Sequence, residues 1–225
     1  MSPNQNTPQR SAFKAVIYDM DGVLIDSEPL WKIAMEQVFG KYGSTLTPQD
    51  FQKTVGLRID EVIHFWNHHE NWGLSNEKEV ETQIIDTLIK LIQQEPKELK
   101  GVTNSLQFFK ACDYQIGLAT SSSSLLIKTV LDALKIGHYF DFTYSAEHEA
   151  FGKPHPGVYL KVAETLRVKP QACLVIEDSW NGVLAGLSAR MKVCCIPEKT
   201  HFPHPNLVVA DFHYEDLDAL VNAMA

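Results

Sequence analysis

Two rhythms of apolar positions run along this chain. Short continuous runs, too brief for helices, fall at 13–18 (FKAVIY), 115–119 (QIGLA), 173–176 (CLVI) and 193–196 (VCCI), with weaker ones near 140–144 and 207–209. Runs of that length, rich in β-branched residues and bounded by polar ones, read as buried strands. Between them, 103–112, 123–135, 155–167, 181–190 and 215–224 carry helical spacing. Strands alternating with helices predict βαβ units, hence a mainly parallel sheet covered on both faces. The expected fold class is therefore α/β and Rossmann-like.

The stretch 28–96 breaks that rhythm. Leu30, Ile33, Ala34, Gln37 and Val38 fall at helical spacing, with Pro29 suited to a first turn. Ile59, Val62, Ile63 and Trp66 form a second stripe, and Val80, Ile84, Leu88 and Leu91 a third. No alternation of period two appears, so this segment reads as an all-helical insert. The chain divides into an α/β core of residues 11–27 plus 97–225, a helical cap of residues 28–96, and a flexible polar arm over residues 1–10.

Composition narrows the partners. Hydrophobic residues make up 44% of the 225, enough for a sizeable core and against general disorder. The 20 Lys+Arg against 28 Asp+Glu leave −8, which excludes a basic groove reading nucleic acid. Cys112, Cys173, Cys194 and Cys195 show no CxxC spacing, so reduced thiols are expected rather than zinc ligands or a disulfide framework. Residues 1–10 lack the apolar run of a signal peptide, and no segment is apolar enough to span a bilayer. A soluble cytoplasmic protein, monomeric and without membrane or nucleic-acid partners, is the expectation.

The polar residues that follow the strands carry the candidate chemistry. They are Asp19 and Asp21 after the first run, Thr120 after the second, Lys153 in a Gly-Lys-Pro-His-Pro loop, and Glu177-Asp178 after CLVI. Each alone has a plain structural reading: DxDG makes turns, and Thr or Ser caps helices. Together they sit where parallel sheets gather ligands, at the carboxyl ends of strands. Two carboxylates two residues apart can divide nucleophilic and proton-transfer work. Glu177 and Asp178 can converge with Asp19 on a hard, oxygen-preferring cation, Mg²⁺ most naturally. Thr120 and the N–H groups opening the next helix can hold phosphoryl oxygens, and Lys153 adds fixed positive charge.

The motifs FKAVIYDMDG, LATSS, GKPHP and VIEDSWN resemble the four signatures of the haloacid dehalogenase (HAD) superfamily over residues 12–225. The insert after the first motif resembles that superfamily's C1 cap, as in sugar-phosphate phosphatases and β-phosphoglucomutases. IYDMDGVLIDSEPLW, VGLRIDEV and GKPHPGVY are similar to bacterial phosphatases of hexitol phosphates and 2-deoxyglucose 6-phosphate. The resemblance implies a role for each residue. Asp19 would be the nucleophile, forming an aspartyl phosphate and ligating Mg²⁺. Asp21 would be the general acid and base, its backbone carbonyl touching the metal. Thr120, Ser121 and Lys153 would grip the phosphoryl group. Asp178 would complete the metal's ligands, with Glu177 bound directly or through water.

Substrate choice falls to the cap, which holds 11 acidic and 6 basic residues between Glu28 and Pro96, with Arg58 its only arginine. Such a cap offers little to a second phosphate and favours a small sugar or polyol monophosphate. Arg58, after Gly56 in an interhelical turn, is the candidate specificity residue, with Glu28 and Trp31 as further ones. A phosphosugar mutase, which keeps the same nucleophile, is the nearest alternative activity; mutase relatives usually place a His near where Trp31 stands, and this departure argues against it. A phospho-aspartate signalling switch is the alternative of a different class, and the helical insert argues against it.

Overall fold

A computed structural model describes residues 7–197 and 204–225. Strand β1 (Ala15–Tyr18) is followed by helices α1 (Glu28–Phe39), α2 (Pro48–Phe51), α3 (Ile59–Glu70) and α4 (Glu77–Gln94). The chain then alternates through α5 (Val102–Ala111), β2 (Gln115–Thr120), α6 (Ser124–Leu134), β3 (Phe142–Ser145) and α7 (Gly157–Thr165). It continues with β4 (Cys173–Glu177), α8 (Trp180–Ser188), β5 (Lys192–Cys195), β6 (Phe212–His213) and α9 (Leu217–Met224).

Among the described residues the six strands form one parallel sheet in the order β3-β2-β1-β4-β5-β6. β1 and β4 are buried along their whole length. Alternate side chains enter two different apolar clusters: Val16, Tyr18, Leu174 and Ile176 one, Ala15, Ile17, Cys173 and Val175 the other. That division is the period of two expected of a strand packed on both faces. Each fully buried Val or Ile there contributes about 1.5–3 kcal/mol. The strand order places β1 at the centre, between β2 and β4, so the loops after these three strands open at one place.

The first of the two clusters does not stop at the sheet. It runs on through Ala34, Val38, Phe39, Ile63, Trp66, Ile84 and Leu88, so the helices between β1 and α5 share an apolar core with one face of the sheet. The connections to them are pinned together: Asp26 N–H donates to the Lys97 carbonyl at 3.0 Å, and the Lys97 amine pairs with the Asp26 carboxylate.

Two expectations are corrected. The weak apolar run at 207–209 is part of a 3₁₀ turn, Pro205–Val209, and the last strand comes later, at Phe212–His213. Pro205 lacks the N–H a ladder needs, and His204 Nδ1 accepts the Asn206 N–H, which favours a turn there. On α1 the buried face is Ala34, Met35, Val38 and Phe39, while Ile33 is exposed. The stripes on α3 and α4 are buried as spaced, with Ile85 and Ile92 joining α4 and Leu91 only half-buried.

Residues 1–6 of the expected arm lie outside the described residues. Arg10 is tied down, its carbonyl accepting the Tyr114 hydroxyl at 2.7 Å and its guanidinium donating to Cys112 Sγ at 2.8 Å. All four cysteines are free thiols, and burial pushes Cys173 up to about 12. No helix among the described residues is long and apolar enough to cross a membrane.

Candidate active site

Asp19 follows β1 directly and is locked in line by its N–H, which donates to the Ile176 carbonyl at 3.0 Å. Thr120 ends β2 and Glu177 ends β4, so the three central strands deliver one polar residue each to the same edge. Lys153, from the loop before α7, is 2% exposed and lies between two of them. Its Nζ donates to Glu177 Oε1 at 2.7 Å and to the Ala119 carbonyl at 3.2 Å. It also lies 3.0 Å from Asp19 Oδ1, near enough for ion pairing but outside hydrogen-bonding angles, so that buried oxygen has no hydrogen-bond donor.

Glu177 is fully engaged. Oε1 accepts from Lys153 and from the Tyr159 hydroxyl at 2.6 Å. Oε2 accepts from the Asp178 and Ser179 N–H groups at 3.0 and 3.1 Å and from Ser179 Oγ at 3.1 Å. Gly182 makes this possible, since a Cβ there would lie 1.7 Å from Glu177 Oε1. Burial alone would raise the Glu177 carboxyl, but the charge and hydrogen bond of Lys153, with Tyr159 and Ser179, outweigh it and hold it below its ordinary value. For Asp19 burial wins: with Glu177 and Asp21 adding to it and Lys153 opposing, the carboxyl is pushed up to about 7.

Asp21 is held by three donors. Oδ1 accepts from Ser27 Oγ at 2.5 Å and Trp31 Nε1 at 3.0 Å, and Oδ2 from Ser122 Oγ at 2.6 Å. Thr120 Oγ1 accepts the Ser122 N–H at 3.1 Å, and Ser121 Oγ donates to the Gly56 carbonyl at 2.9 Å. Asp19, Glu177 and Asp178 each place a carboxylate oxygen within 4.8 Å of the others. Gly22, at φ +72°, lets Asp178 in: a Cβ there would stand 2.0 Å from Asp178 Oδ2.

These groups open into a cavity of about 110 Å³. From the core side Asp19, Asp21, Thr120, Ser121 and Asp178 line it, and from the helical insert Glu28, Trp31, Lys32, Phe51 and Gly56 do. Arg58 does not. Its guanidinium donates to the Ala146 and Glu149 carbonyls at 3.1 and 2.8 Å and pairs with Asp60 and Glu61 at 3.2 and 3.4 Å. The expected substrate-reading arginine is therefore turned onto the core's 146–149 loop, where two carbonyls offer it acceptors. Glu61 supports the same seam, accepting the Gly152 N–H at 3.1 Å.

Residue-type reasoning missed Ser27, Ser122, Tyr159, Ser179 and Lys32. Tyr159 and Ser179 lie within the recognised motif stretches GKPHPGVY and VIEDSWN, but their partners are set by long-range packing.

Comparison with known proteins identifies the arrangement. Residues 16–196 match the model of the haloacid dehalogenase-like hydrolases. The chain belongs to this family. Its relatives include hexitol phosphatase B of Escherichia coli K12, 36% identical over 92% of this chain and 93% of that protein. A phosphorylated carbohydrates phosphatase of Thermotoga maritima is 33% identical over 78% and 81%. Among solved structures, a β-phosphoglucomutase from Clostridium difficile superposes with TM-score 0.83 at 26% identity, covering 92% of each chain. The parallel α/β fold is thus the HAD fold, and by class the chain is a phosphoric monoester hydrolase.

Proposed function

We propose that this hydrolase is a Mg²⁺-dependent phosphatase of small sugar or polyol monophosphates, working through an aspartyl phosphate on Asp19. The observation that carries the reading is the buried Asp19–Lys153–Glu177 arrangement, of which Asp19 lines the cavity together with Asp178. Residues 28–96 act as a cap on the core of residues 11–27 plus 97–225. The free thiols suit a cytoplasmic setting, and the site is complete within one chain, which suits a monomer.

The donor set fits Mg²⁺. Three carboxylates gather with their oxygens within 4.8 Å of one another, all candidate ligands are oxygens, and one buried Asp19 oxygen has no hydrogen-bond donor. Asp19 and Asp178 would hold the cation together with the Asp21 carbonyl. Glu177, whose oxygens are already taken by five donors, acts through Lys153 rather than as a ligand. When bound, Mg²⁺ offsets the repulsion between Asp19 and an anionic phosphoryl group.

An Asp19 carboxylate oxygen attacks phosphorus, and the bond to the substrate's alcohol oxygen breaks. Asp21 delivers a proton to that leaving oxygen. Ser27 and Trp31 on Oδ1 and Ser122 on Oδ2 hold the Asp21 carboxyl in place for that transfer. Asp21 then takes a proton from water, which attacks the phosphoryl group and frees Asp19. Lys153 gathers the charge spread over the transferring oxygens, with Thr120 and the Ser121 N–H assisting.

The test is phosphate release from hexitol and hexose 6-phosphates with Mg²⁺. The wild type releases inorganic phosphate, and Asp19→Asn releases none while keeping its melting transition. Clean isomerisation without free phosphate would instead establish the mutase. Retained release in Asp19→Asn would remove the covalent role.

A further inference from the structure

The cap's share of the cavity carries a charge pair that no sequence motif marks. Lys32 lies one helical turn after Glu28 on α1, and Lys32 Nζ is 3.4 Å from Glu28 Oε1. Both line the cavity, with side chains 25% and 14% exposed. Among the described residues lining it, Lys32 is the one cation, since Arg58 is committed to the core loop. The neighbouring cap lining is largely apolar, through Met35, Phe51, Leu57 and Val62.

We propose that the Glu28–Lys32 pair reads the end of the substrate remote from its phosphate and selects an uncharged, hydroxyl-bearing tail over an anionic one. The inference rests on the phosphatase reading and names its specificity element. A hydroxyl group both donates and accepts, so it can bridge a carboxylate and an ammonium without separating them. A carboxylate or a second phosphate would be attracted by Lys32 and repelled by Glu28 within a few ångströms, and the two effects largely cancel. An anion could gain Lys32 only by breaking the pair, and the apolar neighbours offer no further donors.

The experiment compares kcat/KM for a hexitol 6-phosphate and for 6-phosphogluconate, two probes differing in whether the tail is neutral or anionic. Wild type, Glu28→Gln and Lys32→Met are assayed, each also with an aryl phosphate that has no tail to read. Glu28→Gln leaves the Lys32 charge uncompensated, and the ratio of gluconate to hexitol substrate should rise by about 10-fold, the size of one partly screened charge contact. Lys32→Met should lower that ratio by a similar factor. A ratio unchanged within about twofold in both variants, with the aryl phosphate still turned over, overturns the selectivity while leaving the phosphatase standing. A wild type that hydrolyses none of the three phosphates overturns the underlying phosphatase reading instead.

Discussion

Removing the Lys153 ammonium tests what binds the site together. Lys153→Met keeps the length of the side chain but leaves Glu177 and Asp19, 0% and 9% exposed at their side chains, facing each other without a cation. Breaking a buried pair from one side costs about 3–5 kcal/mol, most of it the price of the stranded charge. If that is the cause, neutralising the stranded carboxylate should restore much of the loss. Lys153→Met/Glu177→Gln should cost less than the two single substitutions added together, with a coupling of at least about 1.5 kcal/mol. Urea unfolding of the metal-free proteins, followed by circular dichroism, measures all four corners of the cycle. The pH dependence checks the sign. In the wild type the Glu177 carboxyl is held low, so its contribution is present above the ordinary carboxylate range and lost as pH falls through the lower folded value. Without Lys153 burial prevails and the folded value rises, so the variant should lose stability as pH climbs. Its slope should be steeper than the wild type's by up to about 1.4 kcal/mol per pH unit. Additive costs within about 0.5 kcal/mol, together with parallel pH curves, would show that Lys153 packs there without neutralising anything.

Two further outcomes follow from the same geometry. Asp19 binds its proton up to about pH 7, so the metal-free fold loses the stability of that protonated carboxyl as pH rises through 7. Mg²⁺ competes with the proton, so its thermal shift should be larger at pH 8 than at pH 6, approaching about 2.7 kcal/mol at a hundredfold excess over Kd; equal shifts at both values would detach the metal from Asp19. Arg58→Ala removes two charged-donor hydrogen bonds to core carbonyls, worth about 1.5–3 kcal/mol each. It should lower kcat/KM by a similar factor for neutral and anionic substrates alike; a loss confined to one tail class would put the guanidinium on the substrate.

What could be read in the sequence was set by local rules. Continuous apolar runs mark strands buried on both faces, and in a parallel sheet the residue after each run must lie at the edge where ligands collect. Asp19, Thr120 and Glu177 are therefore placed by chain position alone, and β1 at the centre of the strand order brings them together. Helical spacing likewise locates α3, where the four residues of the apolar stripe are the four buried ones and Phe65, off the stripe, is exposed. Period fails where a helix has two partners. α1 faces the apolar interior with Ala34, Val38 and Phe39 and the cavity with Glu28, Trp31, Lys32 and Met35, so its buried stripe rotates away from Ile33.

Partner choice was the part beyond reach, because it is decided by who arrives across the fold. Ser122 holds Asp21 from 101 residues away, and Lys153 and Tyr159 meet Glu177 from 24 and 18 residues away. Arg58 shows the consequence most sharply. As the lone arginine of residues 28–96 it looks like a substrate contact, but its guanidinium is taken by the carbonyls of Ala146 and Glu149 and does not line the cavity. Lys32 looks like an ordinary surface lysine one turn after Glu28, in a pair that on an exposed helix contributes only a few tenths of a kcal/mol. The same i,i+4 spacing gains its importance from the wall it faces: with Arg58 withdrawn, the charge presented to a substrate's tail is whatever Glu28 leaves of Lys32.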